Sequence, residues 1–276
     1  MKLRILSSAL AALLLVPTAG ASIVTFESAG STPADITATR DAFRAAVGGG
    51  TVAGANGSFG GLRREINWDG VPDSRSDPNA LPANFFNVNS PRGVIFSTPG
   101  TGFLLSANPG LSTPALFGFP SDFQVFSAHR LFTAVNSNIT DVQFFLPGTS
   151  TAATTSAFAA IFVDVEADAH TMIEFFDENN ISIFSRDVLV AGNQGLSFVG
   201  GVADAGERIS RVRLVSGGNT IASNGVLGNL NEDAVVMDDF IFAEPIRRVP
   251  EPSSLALVAL GLAGCFAALR RRQLGI

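Results

Sequence analysis

The strongest constraint on this chain is a run of short apolar segments, each with alternating polar positions, divided by clusters of Gly, Pro, Ser and Thr. From Gly93 onward they fall at 93–97, 102–106, 123–126, 139–146, 157–166, 170–176, 181–190, 196–199, 209–215 and 235–242. The breaks at 98–101, 108–114 and 147–156 are turn chemistry. Period-2 alternation in runs this short predicts strands, and many strands with regular turns predict an antiparallel sandwich. Asp177-Glu178-Asn179-Asn180 stands between two such runs and predicts a hairpin turn.

Before Gly93 the pattern differs. Ile23–Phe26 reads as a first strand. Thr32-Pro33-Ala34-Asp35 then has the form of a capping box with Pro at the first helical position, and Gly48–Gly50 closes the segment. With Ile36, Phe43 and Val47 on one face, this predicts a helix over 33–47. Residues 51–89 are rich in Gly, Asn, Asp and Pro and read as a long structured loop. The fold class is all-β: an antiparallel, jelly-roll-like sandwich with one short N-terminal helix.

Both termini read as addresses. Met1-Lys2-Leu3-Arg4, an apolar run from Ile5 to Val16 and Ala19-Gly20-Ala21 make a signal peptide over 1–21, to be removed after Ala21. The body is then 22–248. Residues 249–276 carry Val249-Pro250-Glu251-Pro252, an uncharged run from Leu255 to Leu269, and Arg270-Arg271-Arg272. A helix over that run is about 22 Å long against a hydrocarbon core of about 30 Å, so it spans only marginally. The arginines behind it place the C-terminus in the cytoplasm and the body outside.

The body, 22–248, holds 13 Arg and 23 acidic residues, hence a charge of −10, against −6 for the whole chain. That balance argues against nucleic acid as a partner. A mean hydropathy of +0.33 suggests a membrane protein until the two apolar ends are set aside. Lysine occurs only at Lys2 and cysteine only at Cys265. The body therefore has no disulfide, no lysine-based catalysis and no cysteine-zinc site, and its stability must come from packing or from a hard cation such as calcium.

The tail resembles the PEP-CTERM sorting signal: a Pro-Glu-Pro motif at Pro250, Glu251 and Pro252, a short apolar helix, and the basic cluster Arg270, Arg271 and Arg272. The resemblance implies export through the Sec machinery and a transient anchor in the inner membrane of a Gram-negative bacterium. Processing by exosortase and release to the cell surface or extracellular matrix would follow. The stretch from Phe162 to Phe242 is similar to jelly-roll modules such as carbohydrate-binding and laminin-G-like sandwiches. Within the biofilm setting that the resemblance implies, the expected partner of the body is extracellular polysaccharide.

Three sets of residues are candidates for chemistry. Glu27 at the end of the first strand, with Asp238 and Asp239 entering the last, is a candidate calcium site, because a carboxylate turned inward needs a cation or a partner. The alternative is two exposed carboxylates ahead of a buried Phe240. Trp68, Arg64 and Asp69 form a candidate ligand surface, since planar rings and guanidinium groups beside carboxylates hold sugars. Trp68 could equally plug the end of the sandwich. Asp164, Glu166 and Glu174 are strand carboxylates that could serve a glycosidase, if their spacing allowed it, or simply face solvent. No G-x-S-x-G or H-E-x-x-H motif occurs, and His129 and His170 lack metal-ligand spacing. The expectation is a non-catalytic protein, with a secreted carboxylate-dependent hydrolase as the alternative.

Overall fold

The computed structural model describes residues 22–168, 170–222, 227–229, 231–247 and 261–262. The chain opens with β1 (Ile23–Gly30) and helix α1 (Pro33–Val47), followed by β2 (Ser58–Phe59), β3 (Arg63–Ile66) and the short helix α2 (Phe85–Val88). Next come β4 (Val94–Ser97), β5 (Gly102–Leu105), β6 (Phe132–Val135), β7 (Ile139–Phe144), β8 (Ala153–Thr154) and β9 (Ala157–Val163). The last strands are β10 (Met172–Phe176), β11 (Ser182–Asp187), β12 (Leu196–Ala203), β13 (Arg211–Val215), β14 (Val236–Ala243) and β15 (Ile246–Arg247).

Two antiparallel sheets result. The larger runs β1-β12-β9-β14-β3-β2, with β6 also on β14 and β5 on β6; the smaller runs β11-β10-β13-β7-β4. β8 and β15 pair separately. The sheets face each other across one apolar layer, where Phe144 of β7 meets Phe158 and Phe242, and Phe158 meets Phe175. A second apolar layer lies on the outer face of the larger sheet, where Ile36 and Phe43 of α1 pack with Ala159, Ile161, Leu196 and Phe198. The central strand β9 is thus buried on both faces, and all seven of its residues are apolar and buried. The result is a sandwich with a helix-and-loop layer on one side.

Helix α1 covers the residues its signals predict. Pro33 opens it, and the Asp35 carboxylate accepts from the Thr32 N–H at 2.8 Å and the Thr32 hydroxyl at 2.9 Å. Gly48, at φ +91, ends it. The hairpin also forms: β10 and β11 pair across Asp177–Asn180, with Asp177 Oδ1 accepting from the N–H groups of Asn179 and Ile181.

Two readings of the sequence need correction. Phe123–Phe126 is not a strand; Phe123 is buried in the layer under α1, so its apolar character serves helix-side packing. The 51–89 region is not all loop, since it contributes β3 to the larger sheet beside β14. The predicted signal peptide, the Pro250-Glu251-Pro252 motif, the arginine cluster and all of the sorting helix except Gly261 and Leu262 lie outside the described residues. Among those described, no helix is long and apolar enough to cross a membrane.

Candidate functional site

Strand β14 changes neighbour part-way along its length. Met237 lies opposite Phe132 of β6, but Phe240 lies opposite Ile66 of β3. On its other side Met237 pairs with Phe162 and Phe240 with Ala160, so Asp238 and Asp239 stand against one residue of β9. This bulge turns both carboxylates into the protein, where they are 0% and 5% exposed. Asp238 Oδ2 accepts from the Phe126 N–H at 2.6 Å, and its Oδ1 lies 2.9 Å from the Ser127 hydroxyl. The same hydroxyl is 2.7 Å from Asp239 Oδ1. One hydroxyl has one proton to give, so the second contact needs a proton on one of the carboxyl groups. Burial, followed by the neighbouring Asp239 charge, holds the Asp238 carboxyl well above the usual carboxylate range; burial raises Asp239 too. Two carboxylates this close in a buried site disfavour each other's ionised form and titrate as a pair.

Glu27 does not join them. On β1 it forms a two-point ion pair with Arg186 of β11, at 2.7 and 2.5 Å, which ties an edge of one sheet to an edge of the other. The expected calcium set of Glu27, Asp238 and Asp239 is thus not assembled: its first member is satisfied by Arg186 and the other two by the Ser127 hydroxyl and the Phe126 and Ser127 N–H groups.

The expected ligand trio is dispersed as well. Trp68 is 1% exposed, stacks on Phe132 at 4.4 Å and 4°, and donates its Nε1–H to the Asp238 carbonyl at 2.6 Å. Its ring belongs to the core. Arg64 makes a two-point ion pair with Glu244, at 2.6 and 2.8 Å. Asp69 is half-buried near Asp239, and burial, then that neighbouring charge, pushes its carboxyl up to about 6.

A groove along α1 occupies the same side of the larger sheet. Its central cleft, about 420 Å³, is lined by Arg40, Arg44, Glu65, Asn67, Phe126 and Asp239, among others, and Arg92 forms part of its wall. A second cleft of about 520 Å³ adjoins it across Arg44 and Phe59 and reaches Asp41, Gly49 and Arg63. A third, of about 320 Å³, adjoins it across Asn67 and Arg92 and reaches Pro72, Asn89 and Ser90. Within the groove Glu65 is held by Arg44, at 2.9 and 2.5 Å, and by Arg63 at 2.7 Å. Arg40 pairs with Asp41 at 2.8 Å and lies 4.9 Å over the Phe126 ring. Arginines, an exposed amide, carboxylates and an aromatic ring in an open polar trough can hold hydroxyl-rich ligands.

The structure brings a different set of carboxylates together. Asp164, directly after β9, Glu166, and Asp233, ahead of β14, place oxygens within 4.8 Å of one another. Asp164 is 4% exposed, and its Oδ1 accepts from the Gln194 N–H at 2.7 Å; Asp233 Oδ1 is buried with no hydrogen-bond partner among the described residues. Burial, with the charges of Glu166 and Asp233, pushes the Asp164 carboxyl up to about 7. Glu174 stands apart on β10, opposite Arg213. In the sequence Asp164 and Glu166 share a face, but Asp233 follows Glu166 by 67 residues, and local spacing could not have revealed it. Cleft residues Arg40, Arg44 and Arg92 were missed for the same reason, since only the fold collects them.

Comparison with known proteins bears on the tail. Residues 248–272 match the PEP-CTERM protein-sorting motif. The chain carries a PEP-CTERM signal. As a PEP-CTERM protein it is exported and sorted to the cell surface or extracellular space of a bacterium, with exosortase as its processing partner. Pro250, Glu251, Pro252 and Arg270–Arg272 all lie in the matched segment, which does not include the groove. The chain is also 29% identical over 162 residues to a 3-phosphoshikimate 1-carboxyvinyltransferase of Pelobacter propionicus, covering 58% of this chain and 32% of that enzyme. The chain thus spans about a third of the length of the curated relative it matches, and that enzyme's activity is not carried across.

Proposed function

We propose that this PEP-CTERM protein is a non-catalytic surface or matrix protein whose groove along α1 holds extracellular polysaccharide in a biofilm. The observation that carries the reading is the continuity of the three clefts, which share Arg44 and Phe59 at one junction and Asn67 and Arg92 at the other. A trough of this kind suits an extended polymer better than a compact metabolite. Its carboxylates are occupied: Glu65 by two arginines, Asp239 by the Ser127 hydroxyl. That favours holding over hydrolysis.

The route to the surface belongs to the same proposal. Residues 1–21 direct the chain into the Sec machinery, and the apolar tail anchors it transiently in the inner membrane of a Gram-negative cell until exosortase acts. Calcium stays in the proposal at a new address, Asp164, Glu166 and Asp233, whose oxygens are the hard donors that calcium takes.

One observation favours the hydrolase alternative: Asp239, a carboxyl with a raised pKa, lines the central cleft, as a general acid would. Incubating the full chain with a panel of polysaccharides, while measuring both binding and released reducing ends, separates the two. Binding without release is expected. Turnover abolished by Asp239→Asn would replace the proposed reading with the catalytic one.

A further inference from the structure

The four arginines of the groove do not have equivalent surroundings. Arg40, Arg44 and Arg63 are each paired with Asp41 or Glu65. Arg92 has no such partner: among the described residues no carboxylate lies within ion-pair distance of it. Its Nε–H donates to the Glu65 carbonyl at 2.8 Å, its Nη1 donates to Ser90 Oγ at 2.6 Å, and its guanidinium sits 5.0 Å over the Phe86 ring. A guanidinium has five N–H donors, and among the described residues the Nη2 pair meets no protein acceptor. Gly57 makes room for this arrangement, since a Cβ there would lie 2.7 Å from Arg92 Nε. Burial, and then the charge of Arg64, lower its pKa to about 10, so it is still a cation at neutral pH, in a place that disfavours one.

Arg92 also forms part of the wall of both the central and the third cleft. A ligand running along the groove must pass it, with the exposed amide of Asn67 alongside. Among the residues lining the three clefts, four arginines stand against three acidic side chains, Asp41, Glu65 and Asp239. This is a local inversion on a body whose charge is −10, so a polyanion would be drawn to the groove and not to the surface at large.

We infer that the groove selects an acidic polysaccharide, one carrying carboxylate or sulfate groups, and that Arg92 binds one such group midway along the chain. The inference rests on the polysaccharide reading and narrows it to a chemical class. A planar, forked donor with free N–H groups and no counter-ion is suited to accept either anion in two-point geometry.

The test is equilibrium binding of the full chain to three oligosaccharide probes of equal length: an oligogalacturonate, a sulfated dextran oligomer and an unmodified dextran oligomer. One or both acidic probes should bind at least tenfold more tightly than the neutral one, and the two acidic arms show which anion fits. Arg92→Gln should abolish that preference, and Arg92→Lys, which keeps the charge, should restore much of it. A sodium chloride titration of the unaltered chain keeps the test open if Arg92→Gln fails to fold: acidic-probe affinity should fall with salt while neutral-probe affinity holds. Equal affinity for all three probes, or no change in Arg92→Gln, would overturn the acidic selection and leave polysaccharide binding standing. Binding of none would overturn both.

Discussion

The Asp164 carboxyl lets the sign and size of an effect be worked out before measurement. Its pKa rises from an ordinary 3.8 to about 7 in the folded protein, first through burial. Below pH 3.8 the group is protonated in both states and costs nothing. Between about 4 and 7 the unfolded chain loses the proton and the folded chain keeps it, so stability falls as pH rises; above about 7 the loss is complete. At 1.36 kcal/mol per pKa unit the full gap is on the order of 4 kcal/mol, and water reaching the exposed Glu166 alongside reduces it to about 2–3 kcal/mol. For a body of this size that is roughly 4–12 °C in Tm. Calcium at the proposed Asp164, Glu166 and Asp233 site would need the ionised carboxylate and would remove the penalty. At a concentration 100-fold above its Kd it adds about 2.7 kcal/mol. Thermal melts at pH 5 and pH 8, each with calcium and with chelator, provide the assay. The chain in chelator should melt higher at pH 5 than at pH 8, and calcium should raise Tm at pH 8 but hardly at pH 5. Asp164→Asn should raise the pH 8 melt in chelator and abolish most of the calcium gain. An equal calcium effect at both pH values, or a pH 8 melt lowered by Asp164→Asn, would contradict a raised Asp164 pKa and a calcium site there.

Other perturbations test the frame and the address. Trp68→Ala removes a buried ring stacked on Phe132 and should cost about 3–5 kcal/mol in chemical denaturation. Asp238→Ala leaves the Phe126 N–H without its acceptor and should cost about 2–3 kcal/mol by the same measurement. Replacing Pro250, Glu251 and Pro252 with alanine should leave the exported chain unprocessed, visible as a larger, membrane-bound species on immunoblots of cell fractions.

What could be read in the sequence was whatever is written in neighbouring residues. Helix α1 follows from Thr32, Pro33, Asp35 and Gly48, all within one segment, and the β10–β11 hairpin from Asp177–Asn180. Strand β3 was hidden because it lies in a Gly-, Asn-, Asp- and Pro-rich stretch and Arg63-Arg64-Glu65 shows no apolar alternation. In the structure Arg63 is 4% exposed and donates to the Gly48 and Gly50 carbonyls, while Arg64 meets Glu244, 180 residues away. Phe123–Phe126 misled in the opposite way: apolar residues signal burial, and burial under a helix resembles burial in a sheet. Alternation suggested that one carboxylate of 238 and 239 faces inward or along the edge, but not that a bulge would bury both and that Ser127 and backbone N–H groups would satisfy them. The tail was fully legible, because a sorting signal is recognised as a linear string.

The groove along α1 is the proposed place where this PEP-CTERM protein meets polysaccharide. Side-chain NMR of the full chain in detergent, titrated with an acidic oligosaccharide, tests it most directly. Shifts confined to the Asn67 amide and the Arg40, Arg44 and Arg92 guanidinium groups are predicted. Shifts at Arg186, Arg211 and Arg213 on the smaller sheet, with the groove silent, would contradict it.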